Sequence, residues 1–521
     1  MSLYRNFLSV GGLTLVSRIA GFFRDALMAA VLGIGPAADA FNAAFRFPNL
    51  FRRLFAEGAF NTAFVPMFAT ALERDGVDSA RALAGRIMSW LVATILVVTI
   101  LAEIFMPQIM RVFVPGFVDD QAKFELTVFL SRIMFPYLAC MSLMAAYGGI
   151  LNALDRYFAT AFAPVLLNIV NIAALVPLLI LAVDSPAEIT FWLAIAAMAG
   201  GIAQLLLVYL AIRRAGVLPR LALPRLDGEV KRFWILAIPA IIAGGITQIN
   251  ILVGTVIASG SDSVISIIYN ADRLYQLPLG IIGIAIGTVL LPELSRHIGA
   301  GREIEARQSQ GQSLLLSMLF SLPAAAALIA IPEPIVRVLF ERGAFDAQAT
   351  AAVAQTLIGF AVGLPAFVLI RVLQPGFFSR KDTRTPTIMA GVSVVANIAL
   401  SLLLFPSFQS LGIALATSIS AWINVLCLGV LLARRGYFAL TGPELRKHAL
   451  VLGSSAAMGA ALFLLASRAG AIFAPGAPLL LQIAALFSIC LYGTVVYFAL
   501  VHFTGAQPLG QLLGRLRRRR N

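Results

Sequence analysis

Histidine and cysteine are almost missing from this chain, with three of each in 521 residues. His297, His448 and His502 are scattered, and no histidine precedes residue 297. That removes the residue type on which most hydrolytic and metal-assisted chemistry relies. Cys140, Cys427 and Cys490 lie inside apolar runs, far apart in sequence, with neither disulfide nor metal-ligand spacing. They read as small core residues. Charge is scarce as well: only 12% of residues are Asp, Glu, Lys or Arg, against about 25% in a soluble domain. That shortage excludes an ordinary soluble globular protein. What is present is apolar, at 60% hydrophobic residues and a mean hydropathy of +0.91. We read an all-α polytopic membrane protein, not an enzyme, with no cofactor and no metal.

The formal charge of +14 would suit a nucleic-acid partner. The placement of the basic residues argues otherwise, because most lie in short loops between apolar runs, where they set topology and meet anionic lipid. Crossing the hydrocarbon core takes roughly 20 apolar residues. Twelve runs qualify, near 89–112, 126–153, 160–182, 189–212, 233–258, 274–294, 313–340, 349–373, 387–405, 411–433, 449–468 and 478–503. Two more, near 7–33 and 37–70, are apolar but carry charges, and with them the expected total is fourteen. Residues 7–17 follow Arg5 as a signal-peptide core would, but helix-compatible sequence continues past them, so they open the first span. With the N-terminus inside, the inner loops collect bases such as Arg74, Arg213, Arg214, Lys381 and Arg435, and the tail "RLRRRRN" joins them. The outer loops hold only Lys123, Arg342 and Arg468, beside acids such as Asp119, Asp120, Asp184 and Asp262. This is the positive-inside pattern.

The chain also echoes itself. Residues 135–173 align with 364–399: Pro136 on Pro365, Gly149 on Gly376, and Asn171-Ile172-Ala173 on Asn397-Ile398-Ala399. Both copies run span, basic inner loop, span, which is a parallel repeat about an axis along the membrane normal. The expected organisation is an N-lobe over 1–215 (spans 1–6) and a C-lobe over 228–435 (spans 7–12). Spans 13 and 14 over 445–505 and a basic tail at 506–521 complete it.

The charges inside the first two spans are the candidate site. A charge at a helix centre costs about 2.5–3.5 kcal/mol on the insertion scale, so Arg18, Arg24 and Asp25 together would cost the first span roughly 8–10 kcal/mol. Charges that expensive face water, a partner or a ligand. Arg18 and Asp25 are seven apart and share a helix face, whereas Arg24 points about 120° away from Arg18. Residues 37–70 would reach about 50 Å as one helix, too long for a core of about 30 Å. Pro48 is the expected break, with Gly58 a second weak point. Beyond it, Arg53 and Glu57 are four apart and suited to pairing, which would leave Arg52 for a ligand. Snorkelling of Arg52 and Arg53, or an Arg18–Asp39 pair acting as internal glue, are the structural alternatives. The group as a whole (Arg18, Arg24, Arg46, Arg52 and Arg53 against Asp25, Asp39 and Glu57) keeps a surplus of about two positive charges at reference pKa values. Such a surplus calls for an anion, and arginine's fork suits phosphate. In the C-lobe, Asp272 and Arg273 sit near the entry of span 8, and Arg273 is a further candidate contact.

The stretches "SRIAGFFRDALMAAVLG", "ADAFNAAFRFPNLFRRLFAEGAFNTAFVP", "YNADRLYQLPLGIIGIAIGTVLLPELS" and "PGFFSRKDTRTP" resemble the MurJ (MviN) family of bacterial lipid II flippases. That family belongs to the multidrug/oligosaccharidyl-lipid/polysaccharide exporter superfamily, and the likeness extends over essentially the whole chain. It implies fourteen helices in two lobes around a cationic cavity, with spans 13 and 14 forming a hydrophobic groove for the polyprenyl tail. It further implies alternating access that carries the lipid-linked peptidoglycan precursor from the cytoplasmic to the periplasmic leaflet of the inner membrane, with both termini cytoplasmic. Arg18, Arg24, Arg52 and Arg273 match the family's cavity arginines, and Asp25, Asp39 and Glu57 match its acidic gate positions. Asp272 and Arg53 complete the expected charge network. The implied partners are lipid II, membrane lipids and other cell-wall synthesis proteins. Some members hold sodium near spans 7 and 11, but span 7 here has no acid, so no sodium site is expected. The membrane potential is the expected driving force.

The alternative is another exporter of the superfamily, either a polysaccharide-lipid flippase or a drug/cation antiporter. A cation antiporter should carry surplus acid in its cavity, and the balance here has the opposite sign. An enzyme acting on polyprenyl phosphate would need paired carboxylates with a metal, or a histidine near the arginines.

Overall fold

The computed structural model describes residues 2–53, 61–474 and 476–507. Among them every regular element is helical, and nine helices are long and apolar enough to cross a membrane. Large apolar side chains such as Ile180, Leu403 and Leu480 are more than 70% exposed. Water would penalise that surface, whereas a bilayer matches it.

The chain divides into two compact units. The first runs to Ser266 and also takes in Arg342–Phe345. It contains α1 (Ser2–Leu32), α2 (Pro36–Arg52), α3 (Asn61–Phe113), α4 (Gln121–Met134), α5 (Tyr137–Ala153), α6 (Phe158–Ile180), α7 (Pro186–Arg214) and α8 (Gly228–Ala258). Helix α1 packs on α6, α6 and α5 on α7, α2 on α4, and α3 on both α5 and α8. Helix α3 turns sharply at Gly76, whose φ of 81° only glycine adopts without strain. The linker between α7 and α8 is strapped onto α3. There Arg81 Nε donates to the Leu218 carbonyl at 2.6 Å, and the Ala222 N–H donates to Ser89 Oγ at 3.0 Å.

The second unit holds most of α9 (Val264–Gly299), then α10 (Glu303–Ala330), α11 (Pro332–Phe340), α12 (Ala347–Phe378), α13 (Arg384–Arg434), α14 (Gly442–Arg468) and α15 (Leu479–Phe503). Helix α12 packs on α13 and α10, and α14 packs on α10 and α15. One apolar cluster joins Leu290 and Leu294 of α9 to Leu373 and Phe377 of α12 and Leu428 of α13.

The repeat seen in sequence is built as one and the same turn in both units. After α5, the N–H groups of Leu154, Asp155 and Arg156 donate to the carbonyls of Leu151, Asn152 and Leu151. After α12, Arg380, Lys381 and Asp382 donate to Phe377, Phe378 and Phe377. Each residue of the first set stands 226 positions before its counterpart, and α6 and α13 begin with the same offset. Both are Schellman caps, with Asp155 (φ 58°) and Lys381 (φ 62°) left-handed at the position glycine usually takes.

The second of these turns is locked by Asp382. Its carboxylate accepts from the Thr385 N–H at 2.9 Å, the Thr385 hydroxyl at 2.6 Å and Arg435 at 2.6 Å. The Thr385 bonds first, then Arg435, hold the carboxyl down from 3.8 to about 2. A depressed carboxyl contributes stability above its unfolded pKa and loses it as pH falls through the folded one. The melting-temperature difference between wild type and Asp382→Asn is therefore expected to be constant above pH 4 and to close between 4 and 2. A difference that stays at its full size at pH 2 would contradict these partners.

The second span departs from expectation at Pro48. Helix α2 does not break there but continues to Arg52, with Pro48 buried inside it. Proline removes the donor to Ala44 and disturbs the turn before it. The Asn49 side chain adds a bond within the same turn, donating to the Phe45 carbonyl at 2.8 Å. The rings of Phe47, Phe51, Phe113 and Phe135 close around this turn at centroid distances of 5.3–6.0 Å. Local packing outweighs the proline penalty. Gly58 lies outside the described residues.

Candidate functional site

Arg24 and Asp25 are neighbours on α1, and the structure makes them a pair. Arg24 Nε and Nη2 donate to Asp25 Oδ1 at 3.1 and 2.7 Å, and Nη1 donates to Asn168 Oδ1 of α6 at 3.0 Å. Asn168 returns its amide to the Ser17 carbonyl at 2.9 Å. The side chains of Arg24 and Asp25 are 15% and 4% exposed, so the guanidinium is held in a fixed orientation with little water around it.

Arg18 does not join Asp25 or Asp39. It is exposed and lines a cleft between α1 and the start of α6, with no hydrogen-bond or ion-pair partner among the described residues. On α2, Arg46 Nη1 donates to the Thr255 hydroxyl of α8 at 2.9 Å, and Arg52 Nε donates to Asn49 Oδ1 at 3.1 Å. Arg53 caps the helix and is exposed. The expected Arg53–Glu57 pair falls on Glu57, which is outside the described residues.

Asp39 lies elsewhere. Its side chain is fully buried at the start of α2, where Oδ2 receives Lys123 Nζ at 3.1 Å and Oδ1 receives the Ser266 backbone N–H at 2.8 Å. Lys123 also reaches Asp262 at 2.8 Å and sits 4.0 Å from the centroid of the Phe117 ring. Sequence reasoning counted Lys123 as an outer-loop base. It is instead on the first turn of α4, its N–H capped by Asp120 and its side chain 2% exposed. One signal could have flagged it. Only three bases stand on the outer side against the positive-inside pattern, and such a base is tolerated most easily when acids neutralise it.

In the second unit, Arg273 on α9 donates from Nη2 to the Tyr269 hydroxyl at 3.0 Å and stacks 4.7 Å from that ring's centroid. Asp272 accepts from Gln276. Tyr275 stacks on Phe360 and Phe367, which fixes α9 against α12 in this stretch. Among the described residues no group of three His, Cys, Asp or Glu side chains is placed to hold a metal ion.

The first unit thus presents one arginine, Arg24, held with little water by a carboxylate, and another, Arg18, exposed and unengaged among the described residues. Residues 28–483 match the family model for the lipid II flippase MurJ. The chain belongs to this family. A relative from Rhizobium tropici, described as a probable lipid II flippase MurJ, is 46% identical over 521 residues, covering 100% of this chain and 98% of its own. The lipid II flippase MurJ of Burkholderia cenocepacia is 34% identical over 466 residues, covering 87% and 88% of the two chains. Among solved structures, a lipid II flippase MurJ in an inward closed conformation superposes with a TM-score of 0.76 at 24% identity, over 95% of this chain and 98% of that one. An inward-facing multidrug transporter of the MATE family gives a TM-score of 0.66 at 14% identity, over 82% and 98%. Those last two likenesses are of fold alone. They show that this multi-pass membrane protein has the fold of those two transporters.

Proposed function

We propose that this protein moves lipid II from the cytoplasmic to the periplasmic leaflet of the inner membrane, by alternating access and with both termini in the cytoplasm. The full-length identity to MurJ flippases carries this reading, and the cationic balance of α1 and α2 supports it. Lipid II is a polyprenyl pyrophosphate bearing a disaccharide peptide, so its headgroup is anionic next to the lipid tail and polar beyond it. Arg18, Arg24 and Arg52 are the residues of the first unit that bind the pyrophosphate, and Arg273 is the phosphate-contacting candidate of the second unit taken by itself. Asp25 holds Arg24 in place, which pre-orients its fork and reduces the ordering cost of binding. Asp39 with Lys123 serves the outer end of the first unit.

An inside-negative potential of 100 mV contributes about 2.3 kcal/mol per unit charge moved fully across. It favours outward passage of the anionic headgroup and inward return of the empty cationic protein, so the potential is the driving force in this proposal.

The test is complementation in cells depleted of their own flippase, with lipid II at the outer leaflet as the readout. Arg24→Ala, Arg52→Ala and Arg273→Ala are each expected to lower translocation about tenfold or more, the loss of one or two charge-assisted hydrogen bonds. Arginine-to-lysine variants should recover only part, because a point charge cannot replace a bidentate fork. Full translocation by all three alanine variants would contradict the proposed site.

A further inference from the structure

Arg371 is the one charged residue between Asp346 and Arg380, and it sits well inside helix α12 of the second unit. It is exposed and has no hydrogen-bond or ion-pair partner among the described residues. A charge inside a span persists where it faces water, a partner or a ligand. The first copy of the repeat does without it. There Pro136 and Gly149 align with Pro365 and Gly376, and the positions matching Arg371 are Ser142, Leu143 and Met144, all uncharged. The helix therefore forms without this arginine.

Its guanidinium rests on α9, where Gly283 makes room for it. A Cβ at Gly283 would stand 2.6 Å from Arg371 Nη1, 3.0 Å from its Cδ and 3.1 Å from its Cζ. Gly283 belongs to one stripe of α9. Asp272, Gln276, Gly280, Gly283 and Gly287 follow at intervals of four, four, three and four, so they share a face, and none has an apolar side chain. Such a face suits water and polar ligands, not lipid tails. On α12 the exposed Val362 is nine residues before Arg371, on the opposite side of the helix. Asp272, the carboxylate of the stripe, is eleven residues from Gly283, about 16 Å along the axis, and accepts from Gln276. Arg371 thus lies over a polar stripe with its charge unspent.

We infer that Arg371, positioned by Gly283, contacts a carboxylate of the peptide that lipid II carries. The inference rests on the flippase reading and adds a contact beyond the pyrophosphate. Arginine's fork matches a carboxylate as well as a phosphate, so position decides between them. Arg273 and Gly283 are ten residues apart, about 15 Å along α9. With phosphate on Arg273, one pyrophosphate is too short to reach the Arg371 guanidinium as well. Past the pyrophosphate the sugars are neutral, and the carboxylates of the peptide are the remaining anions of the headgroup.

The full chain is placed in phosphatidylcholine nanodiscs. Affinity is measured for lipid II, for lipid II with its peptide carboxylates amidated, and for undecaprenyl pyrophosphate, which has neither sugar nor peptide. Arg371→Gln is expected to weaken lipid II about fivefold to tenfold and to leave the other two ligands unchanged. Arg371→Lys keeps the charge and should lose less. Gly283→Ala displaces the guanidinium and should weaken lipid II too, with no added loss when combined with Arg371→Gln. Arg371→Gln should melt at the wild-type temperature, since the guanidinium bonds to none of the described residues. Unchanged lipid II affinity in Arg371→Gln overturns the contact. Equal loss for undecaprenyl pyrophosphate overturns it as well, in favour of phosphate. Additive losses in the double variant overturn the positioning role of Gly283. Wild-type protein that binds neither lipid II nor undecaprenyl pyrophosphate overturns the flippase reading itself.

Discussion

Lys123→Met is expected to destabilise the first unit by about 3–5 kcal/mol, the cost of breaking a buried ion pair and leaving one charge without its counterion. The side chains of Lys123 and Asp39 are 2% and 0% exposed, and their contact is 3.1 Å. Removing the ammonium leaves Asp39 with neutral hydrogen bonds from the Ser266 backbone and side chain, and no charge, to offset burial. Methionine keeps most of the volume over the Phe117 ring, so the loss is electrostatic rather than a cavity. The measurement is thermal or chemical unfolding of the purified protein in detergent. Asp39→Asn combined with Lys123→Met should recover much of the loss, because the double variant buries no charge. Asp262→Asn should cost under about 1 kcal/mol, since its carboxylate is 74% exposed and water replaces the contact. A cost below 1 kcal/mol for Lys123→Met would mean that this corner is solvated.

Gly33→Ala and Gly343→Ala are expected to cost about 2–5 kcal/mol each, from an overpacking penalty plus a left-handed backbone penalty. Gly33 ends α1 at φ 64°, and Gly343 lies in the short loop before α12 at φ 56°. The Ala344 N–H donates to the Ala30 carbonyl at 2.8 Å, and each glycine faces the backbone of the opposite segment, Gly33 at Ala344 and Gly343 at Ala30. A Cβ on Gly33 would fall far inside contact with the Ala344 carbonyl oxygen, and one on Gly343 would meet that of Ala30. Neither obstacle is a flexible side chain that could turn away. Both substitutions undo the same docking of Arg342–Phe345 onto the first unit, so the double variant should cost less than the sum. Unfolding in detergent reads this directly. Single costs under 1 kcal/mol would show that the loop can lift away from α1.

Membrane chemistry explains how much of this fold was legible from sequence. A spanning segment must satisfy its backbone internally, so the apolar runs announced helices and the loop arginines announced their direction. The repeat was legible too, because its landmarks keep offsets between 226 and 229, although the shared left-handed turn at Asp155 and Lys381 came only with the structure. Pro48 misled for a definite reason. Proline's local penalty is readable from sequence, whereas the four phenylalanine rings that offset it are not.

The site divides along the same line. Composition determined that the first two spans carry more arginine than acid, and the motifs determined the family. Both are properties of the chain order alone. Which arginine is tied and which stands unengaged was decided by tertiary structure. Seven-residue spacing put Arg18 with Asp25, yet Arg24 takes Asp25 because Asn168, 144 positions away, anchors its other nitrogen. Asp39 finds Lys123 across 84 positions and Ser266 across 227. Hydropathy and helical spacing describe one helix at a time. A buried charge is neutralised by whichever group the packed helices bring within about 3 Å, and that proximity exists only after the helices have packed.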